Sequence, residues 1–374
     1  MHHFGVWCVA PGVGNLPAMN SPELHPQMTG GKARLAGLGA VAFALIATVV
    51  LAFASPTMAH RAKQAAPPSC SEVSYPVNVL STTYTMRGTL CRPPKGVKAR
   101  AAALLVHGDT YSRVYWDFPV EPSKYSAARI LAGDGYMTLA IDRLGSGASD
   151  LPPADQFTPD VGADAIHQVV TQLRGLAAQE TTSGDVFAAG HSGGSTVVLR
   201  ESAEFGDVDG IILTGFLHGF EPSAEVVAGS FHPTSEDPEF AGDATIPPGY
   251  KTGRPATRFV FYYPFTAEER VWAADEKTKS YLPGNDSSGF VEEIKTNKFA
   301  PQIKVPVMVM VGAWDLVVCT PPNCPEASKE AAHYPASPDV KVIVRPRTGH
   351  DLNLHTNAPE TFELMRKWMD EHSR

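Results

Sequence analysis

The sequence predicts an α/β fold in which helices cover both faces of a mostly parallel β-sheet. Short apolar runs of strand length alternate along the chain with longer helical stretches. Parallel strands are joined by crossover helices that bury both faces of the sheet, so this alternation favours βαβ units. With 374 residues, 43% of them hydrophobic, the chain can form one large domain.

The predicted elements follow one another with few long gaps. The strands are expected at residues 75–80, 82–91, 101–106, 137–141, 186–190, 209–214, 305–311 and 340–344. The helices are expected at residues 124–132, 160–178, 195–201, 325–333 and 359–372. We expect the first two strands, the second of them rich in Thr and Tyr, to pair as an antiparallel edge of the sheet.

The motif Gly190-His191-Ser192-Gly193-Gly194 joins a predicted strand to a predicted helix. Gly-x-Ser-x-Gly at such a junction holds the serine at a sharp turn, where its hydroxyl is exposed to a substrate. The small flanking residues allow the two backbones to approach closely. Because so short a motif also arises by chance, its weight depends on the residues around it.

Other polar residues also follow predicted strands directly. They include the segment His107-Gly108-Asp109, then Asp142, Asp315 and His350. Ligands of open α/β sheets bind at the carboxyl ends of the strands. The order Ser192, Asp315, His350, each just past a strand, is that of the α/β-hydrolase triad.

From about Ser71 to its end, the chain therefore resembles the α/β-hydrolase superfamily, in particular a secreted serine esterase or lipase. Besides the Ser192 motif, the resemblance rests on His107-Gly108-Asp109, Gly312-Ala313-Trp314-Asp315 and Gly349-His350. It implies the α/β-hydrolase fold with a cap inserted between strands 6 and 7. The expected divisions are core residues 60–220, an aromatic-rich cap or lid at 221–304, and core residues 305–374.

The predicted triad assigns one role to each side chain. Ser192 is the nucleophile, and His350 is the base that takes its proton. Asp315 orients the imidazole and stabilises its charged form. Glu221, after the preceding strand, is the rival acid, and His355 is the alternative base.

The oxyanion formed during acyl transfer needs two preorganised donors. One is expected to be the backbone N–H of Gly193, and the resemblance implies Asp109 as the other. An acidic side chain at this position departs from the apolar residue expected there. Its carboxylate would repel the oxyanion, so it has to turn away or pair with Arg143 or Arg113.

Residues 1–59 are predicted to be an N-terminal extension and signal peptide. An uncharged apolar run at 35–53 is preceded by basic residues and followed by small ones. We expect translation to begin at Met28, cleavage after Ala59, and secretion of the mature protein. If the apolar run is not cleaved, it would instead anchor the protein in a membrane.

An even number of cysteines follows the predicted cleavage site: Cys70, Cys91, Cys319 and Cys324. In an exported chain this predicts disulfides, with three possible pairings. We favour Cys70 with Cys91 and Cys319 with Cys324, because the members of each pair are close in sequence. The alternative is four free thiols in a cytosolic protein.

The predicted activity is cleavage of carboxylic esters, lactones or lipids through an acyl-enzyme. The predicted triad and oxyanion donors need no metal or organic cofactor. The sequence does not assign substrate-binding residues. The formal charge of −8, without a basic stripe, disfavours nucleic acid as a partner. The expected partner is a small ester or lipid, without stable membrane association after signal cleavage.

Several other activities use the same fold and remain open. A proline-releasing aminopeptidase, a carbon–carbon bond hydrolase and a cofactor-free haloperoxidase all use a serine. Haloalkane dehalogenases and epoxide hydrolases are disfavoured, because their nucleophile is Asp where this chain has Ser192. The alternative outside enzymes is a catalytically silent binding or receptor module on the same scaffold.

Overall fold

The computed structural model describes residues 66–219, 229 and 231–374. The predicted signal peptide and Glu221 lie outside the described residues. The strands are β1 (Ser69–Val79), β2 (Thr82–Arg92), β3 (Ala102–Val106), β4 (Met137–Ile141), β5 (Val186–His191), β6 (Gly210–Thr214), β7 (Phe231–Pro233), β8 (Tyr250–Gly253), β9 (Tyr281–Pro283), β10 (Val307–Gly312) and β11 (Val340–Arg345).

Within the described residues, an eight-stranded sheet runs in the order β1-β2-β4-β3-β5-β6-β10-β11. β1 pairs with β2 and β2 with β4 in antiparallel fashion, whereas all the other neighbours are parallel. β3 to β6 and β10 are buried along their whole length, because helices cover both of their faces. The predicted mostly parallel sheet with an antiparallel edge is confirmed.

The helices are α1 (Pro122–Tyr125), α2 (Ala127–Gly133), α3 (Pro159–Glu180), α4 (Gly193–Phe205), α5 (Glu269–Lys277), α6 (Ser288–Thr296) and α7 (Ala358–His372). α3 begins with Pro159 at its first position, and the Thr158 side chain accepts a hydrogen bond from the Val161 amide. Its buried face carries Ile166, Val169 and further apolar residues at helical spacing. α4 is buried along most of its length.

Two predicted helices differ from the observed elements. The helix expected at 124–132 is divided into α1 and α2 at Ser126, whose backbone is extended (φ −93°, ψ 100°). The Ser126 side chain accepts a hydrogen bond from the Arg129 amide and thereby starts α2. The segment Pro325–His333 forms a 3₁₀-helix rather than an α-helix.

The chain between β6 and β10 contains its own small sheet. β7, β8 and β9 pair there in antiparallel fashion, and α5 and α6 belong to the same stretch. This stretch lies between the sixth and seventh strands, in chain order, of the eight-stranded sheet. Among the described helices, none has the length and apolar character that crossing a bilayer requires.

Two disulfides are present in the described part of the chain. Cys70 is bonded to Cys91, its direct neighbour across β1 and β2, and Cys319 is bonded to Cys324 in the loop after β10. These are the two pairs favoured from the sequence.

Candidate active site

Ser192 lies between the end of β5 and the start of α4. Its backbone has φ 51° and ψ −122°, which is strained for a residue with a side chain. The turn is held by the Ser192 amide, which donates a 2.7 Å hydrogen bond to the Thr214 carbonyl at the end of β6. Ser192 is half-buried, so its hydroxyl stands at a sharp, partly accessible turn.

Close backbone contacts explain two of the glycines in the motif. A Cβ on Gly190 would overlap the backbone of Gly194 and Ser195, and a Cβ on Gly194 would overlap the Val106 and His107 carbonyl groups at the end of β3. Only glycine therefore lets strand, turn and helix approach as they do.

His350 and Asp315 form a buried pair at the same edge of the sheet. The Nδ1 atom of His350 lies 2.9 Å from Asp315 Oδ2 and 3.0 Å from Oδ1. Asp315 Oδ1 also accepts a 2.9 Å hydrogen bond from the Val317 amide, which holds the carboxylate in place. Burial lowers the pKa of His350, but Asp315, with smaller contributions from Asp351 and Asp109, opposes it, so that the pKa is raised overall.

The turn after β6 brings His350 close to the Ser192 elbow. A Cβ on Gly215, next to the Thr214 that holds Ser192, would lie 2.9 Å from His350 Cε1. The His350 ring is also 4.9 Å from that of His191, the residue before Ser192. The hydrogen bonds of the described residues do not include one from the Ser192 hydroxyl to His350. In apo structures such bonds often tighten only when substrate binds.

His355, the alternative base, is hydrogen-bonded to the backbone. Its Nδ1 atom donates to the Asp351 carbonyl, and its Nε2 atom accepts from the amides of Tyr263 and Gly349. Burial lowers the pKa of His355 to about 4, although Asp351 opposes the shift. The ring therefore stays neutral and positions the loop that carries His350.

The two residues whose amides are the predicted oxyanion donors lie close together. Gly193 is the first residue of α4, and a Cβ on it would overlap the Asp109 carboxylate. Neither amide has an acceptor among the described residues. Both N–H groups are therefore available to an oxyanion, with the Asp109 carboxylate close by.

Arg143 neutralises this carboxylate. Its Nη1 atom donates to Asp109 Oδ1 at 3.0 Å and to the His107 carbonyl at 3.3 Å, and its Nη2 atom pairs with Asp286. The guanidinium is almost fully buried and lies between the two acids. Of the two predicted partners for Asp109, the structure uses Arg143, while Arg113 pairs with Asp142.

A buried polar network connects the insertion to the His350 loop. Asp351 Oδ2 accepts a 2.6 Å hydrogen bond from the Tyr111 hydroxyl, and its Oδ1 atom lies 3.3 Å from His191 Nε2. On the insertion, Asp275 pairs with Arg258 at 3.0 Å, and the Arg258 guanidinium lies 4.0 Å from the centre of the Tyr111 ring. The network holds together the residues beside both His350 and Ser192.

Aromatic side chains surround the acid side of the site. Trp314 precedes Asp315 and is 37% exposed, and its ring lies 5.0 Å from that of Tyr263. The Phe265 ring, 83% exposed, lies 5.3 Å from that of Tyr263. These rings form an apolar surface beside the buried Asp315. Phe261, another aromatic of the insertion, is buried, and its ring lies 5.3 Å from that of His350.

The sequence did not indicate Asp286, Asp351 or Tyr111 as parts of the site, and it named Arg143 only as one of two possible partners of Asp109. Each becomes relevant through a partner that is far away in the chain: Arg143 and Asp286, for example, are 143 positions apart. One indication was available, since an acid at Asp109 required a cation, and Arg143 was one of two candidates.

Comparison with known proteins supports the architecture described above. A sequence profile described as "Alpha/beta hydrolase family" matches residues 103–363, which is more than half of the chain. The chain belongs to the alpha/beta hydrolase family. For this alpha/beta hydrolase, no curated protein gives a match.

Several solved structures share the fold of this alpha/beta hydrolase. A thermostable carboxyl esterase from Bacillus coagulans has 17% identity and a TM-score of 0.57, with 81% of this chain and 99% of that chain covered. The alpha/beta hydrolase GrgF from Penicillium sp. has 16% identity and a TM-score of 0.53, covering 82% and 99%. A mutant of CumD, a meta-cleavage product hydrolase from Pseudomonas fluorescens, has 15% identity and a TM-score of 0.51, covering 80% and 98%.

Proposed function

We propose that this alpha/beta hydrolase is an exported serine hydrolase that cleaves carboxylic esters through an acyl-enzyme. The observation that carries the proposal is the meeting of two features at one edge of the sheet. Ser192 occupies a strained, partly exposed elbow, and a buried His350–Asp315 pair lies beside the turn that holds it. This is the arrangement that serine acyl transfer needs.

The reaction begins when Ser192 Oγ attacks the ester carbonyl and His350 Nε2 takes the hydroxyl proton. The amides of Gly193 and Asp109 stabilise the oxyanion, and Asp315 stabilises the imidazolium. Collapse of the tetrahedral intermediate releases the alcohol, which takes the proton from His350. Water, activated by the same imidazole, then hydrolyses the acyl-enzyme and regenerates Ser192.

The substrate class and the location of the protein have separate support. The solved neighbours include a carboxyl esterase, and the exposed rings of Phe265 and Trp314, with the partly buried ring of Tyr263, suit an apolar or aromatic group of the ester. The two disulfides are compatible with an oxidising compartment, as export through the predicted signal peptide would provide.

A second candidate is hydrolysis of a carbon–carbon bond. It is favoured by the likeness to the meta-cleavage product hydrolase CumD, and it would use the same serine, base and acid. The two candidates differ in the leaving group, which is an alkoxide in one case and a carbanion in the other. A panel of substrates therefore separates them.

The test measures turnover of p-nitrophenyl acetate and butyrate, of proline naphthylamide, and of a vinylogous diketone in which a carbon–carbon bond is the bond to be hydrolysed. We expect turnover of the esters, and a loss of several orders of magnitude in Ser192→Ala with an unchanged thermal midpoint. Turnover of the carbon–carbon substrate alone would replace the ester proposal. Ester turnover that survives in Ser192→Ala would overturn the mechanism.

A further inference from the structure

A second cluster of chemically active side chains lies where α3 and α4 pack together. His167 comes from α3, Glu201 from α4, and Asp207 follows the Gly206 that ends α4. The Phe205 ring stacks on the His167 ring at 3.8 Å and thereby orients it. None of these residues has a role in the proposed reaction.

Glu201 is the unusual member of this cluster. Its side chain is only 1% exposed, yet no amide, hydroxyl or cationic group of the described residues donates a hydrogen bond to either carboxylate oxygen, and the group beside it is another acid, Asp207. A buried carboxylate without such a donor is costly, and buried charges in proteins are normally paired or bound to metal ions. The Asp207 Oδ1 and His167 Nδ1 atoms also have no hydrogen-bond partner. Unsatisfied atoms of three different side chains are thus collected at one place.

The spacing of these atoms matches that of metal ligands. His167 Nδ1 lies 3.0 Å from Asp207 Oδ2 and 3.6 Å from Glu201 Oε1, and one ligand atom of each side chain lies within 4.8 Å of the other two. Ligands about 2.1 Å from an ion are about 3.0 Å apart at a right angle and about 3.4 Å apart at the tetrahedral angle. Although Nδ1 and Oδ2 are close, they are not aligned as a hydrogen-bond donor and acceptor.

We propose that His167, Glu201 and Asp207 bind a divalent transition-metal ion, with Zn²⁺ the ion that the donor set fits best. One imidazole nitrogen and two carboxylates suit Zn²⁺, whereas Ca²⁺ and Mg²⁺ prefer oxygen ligands alone. His167 and Asp207 are 27% and 23% exposed, which gives the ion a path from solvent to Glu201. Water would complete the coordination.

The proposed ion would link two neighbouring helices. The ion would cross-link α3 to the end of α4, the helix that begins directly after Ser192, so that its role is structural.

Another cluster in the described chain, at His218, Glu330 and His333, does not share these properties. His218 Nδ1 lies 2.8 Å from Glu330 Oε1, and Glu330 also accepts hydrogen bonds from the His218 amide and the Tyr334 hydroxyl. Its acid is fully partnered within the protein, so that no ligand is needed there.

The test uses the purified, tag-free protein after treatment with EDTA. Calorimetric titration with ZnCl₂ should show binding of one equivalent, and the thermal midpoint should rise with the logarithm of Zn²⁺ concentration. CaCl₂ at the same concentration should not produce this rise. Absence of Zn²⁺ binding by the wild-type protein would overturn the proposal.

Two variants assign the ion to this site, with a third as control. Glu201→Gln keeps the shape of the side chain and removes one carboxylate ligand, so it should lower Zn²⁺ affinity by about 100-fold or more, as should His167→Asn. Glu204→Gln removes the same charge from the partly exposed side of α4 and should leave the affinity unchanged. If Glu201→Gln does not fold, the Zn²⁺ affinity of His167→Asn shows whether the ion binds at this site. Binding that survives in the folded variants but disappears in His333→Ala would place the ion at the other cluster and refute the assignment.

Discussion

At the scale of single residues, the Asp315 carboxylate determines how the His350 ring is charged. Since the neutral imidazole is the base, activity falls as the pH drops through the pKa of His350. Asp315 raises that pKa against the effect of burial, so the acidic limb of the wild-type profile should lie above the usual histidine value of about 6.5.

Asp315→Asn keeps the shape of the side chain and removes its charge. The turnover number should fall by about 10⁴-fold, because the imidazolium is no longer stabilised and the ring is no longer oriented. The acidic limb should also move to lower pH, because the pKa of His350 falls. The measurement is kcat/KM for a soluble ester as a function of pH. An unaffected enzyme would point to Glu221 as the acid instead.

Arg143 is expected to make an acidic residue tolerable beside the oxyanion. In Arg143→Met the Asp109 carboxylate loses its partner, and kcat should fall by about 10²- to 10³-fold, as when an oxyanion donor is removed. Asp109→Asn alone should have a small effect. The double variant should recover part of the loss, because a neutral amide does not repel the oxyanion. If both changes are simply additive, the proposed coupling of the pair is wrong.

Some of these site features could be predicted from the sequence, and others could not. The positions of Ser192, Asp315 and His350 could be predicted because each follows an apolar strand. The need for a partner at Asp109 could be predicted from charge alone. The contacts of Asp286, Asp351 and Tyr111 could not, since they depend on how segments far apart in the chain pack together.

At the scale of elements, the loop after β10 combines the predicted acid with a disulfide. Asp315 begins this loop, the Cys319 amide donates to its carbonyl at 3.0 Å, and Cys319 is bonded to Cys324. The covalent link restricts the segment that carries the partner of His350.

We expect the double variant Cys319→Ser/Cys324→Ser to lower kcat more than it changes KM, because the Asp315 loop becomes less ordered. Because the Cys319–Cys324 disulfide closes only a short loop, its removal should lower the free energy of unfolding by about 2 kcal/mol. The control is Cys70→Ser/Cys91→Ser at the sheet edge, which should cost about 3 kcal/mol and leave kcat unchanged. Equal effects of the two pairs on kcat would contradict a specific role for the Asp315 loop.

The elements themselves were predictable where hydrophobic runs were long enough. The buried strands and α3 lie close to their predicted ranges, because burial requires the apolar pattern. The break at Ser126 and the short strands β7, β8 and β9 were not predicted. Strands of three or four residues have too little periodicity to recognise, and their pairing is defined by the segments they meet.

At the scale of the whole molecule, His218 links three distant parts of the chain. It follows β6, and its ring lies 2.8 Å from Glu330 in the segment Pro325–His333 and 3.3 Å from Glu293 on α6. Burial alone would lower the pKa of His218, but the two carboxylates outweigh it and raise the pKa to about 9.

Because of this shift, the free energy of unfolding should fall as the pH rises into the alkaline range. The contribution of His218 is fully present below the unfolded pKa of about 6.5 and is lost as the pH rises through about 9, with a size on the order of 3 kcal/mol. Urea unfolding between pH 6 and pH 10 should show this decline in the free energy of unfolding. In His218→Gln the decline over the same pH range should be smaller. His372→Gln, at a partly exposed ion pair, is the control and should keep the wild-type slope.

If Ser192 carries the acyl group during turnover, that group can be trapped on it covalently. The protein is treated with a fluorophosphonate, or quenched in acid during ester turnover, and the modified peptide is mapped by mass spectrometry. We expect one adduct per chain on Ser192, slower labelling in Asp315→Asn and no labelling in Ser192→Ala. An adduct on another residue, or ester turnover without any adduct, would contradict this mechanism.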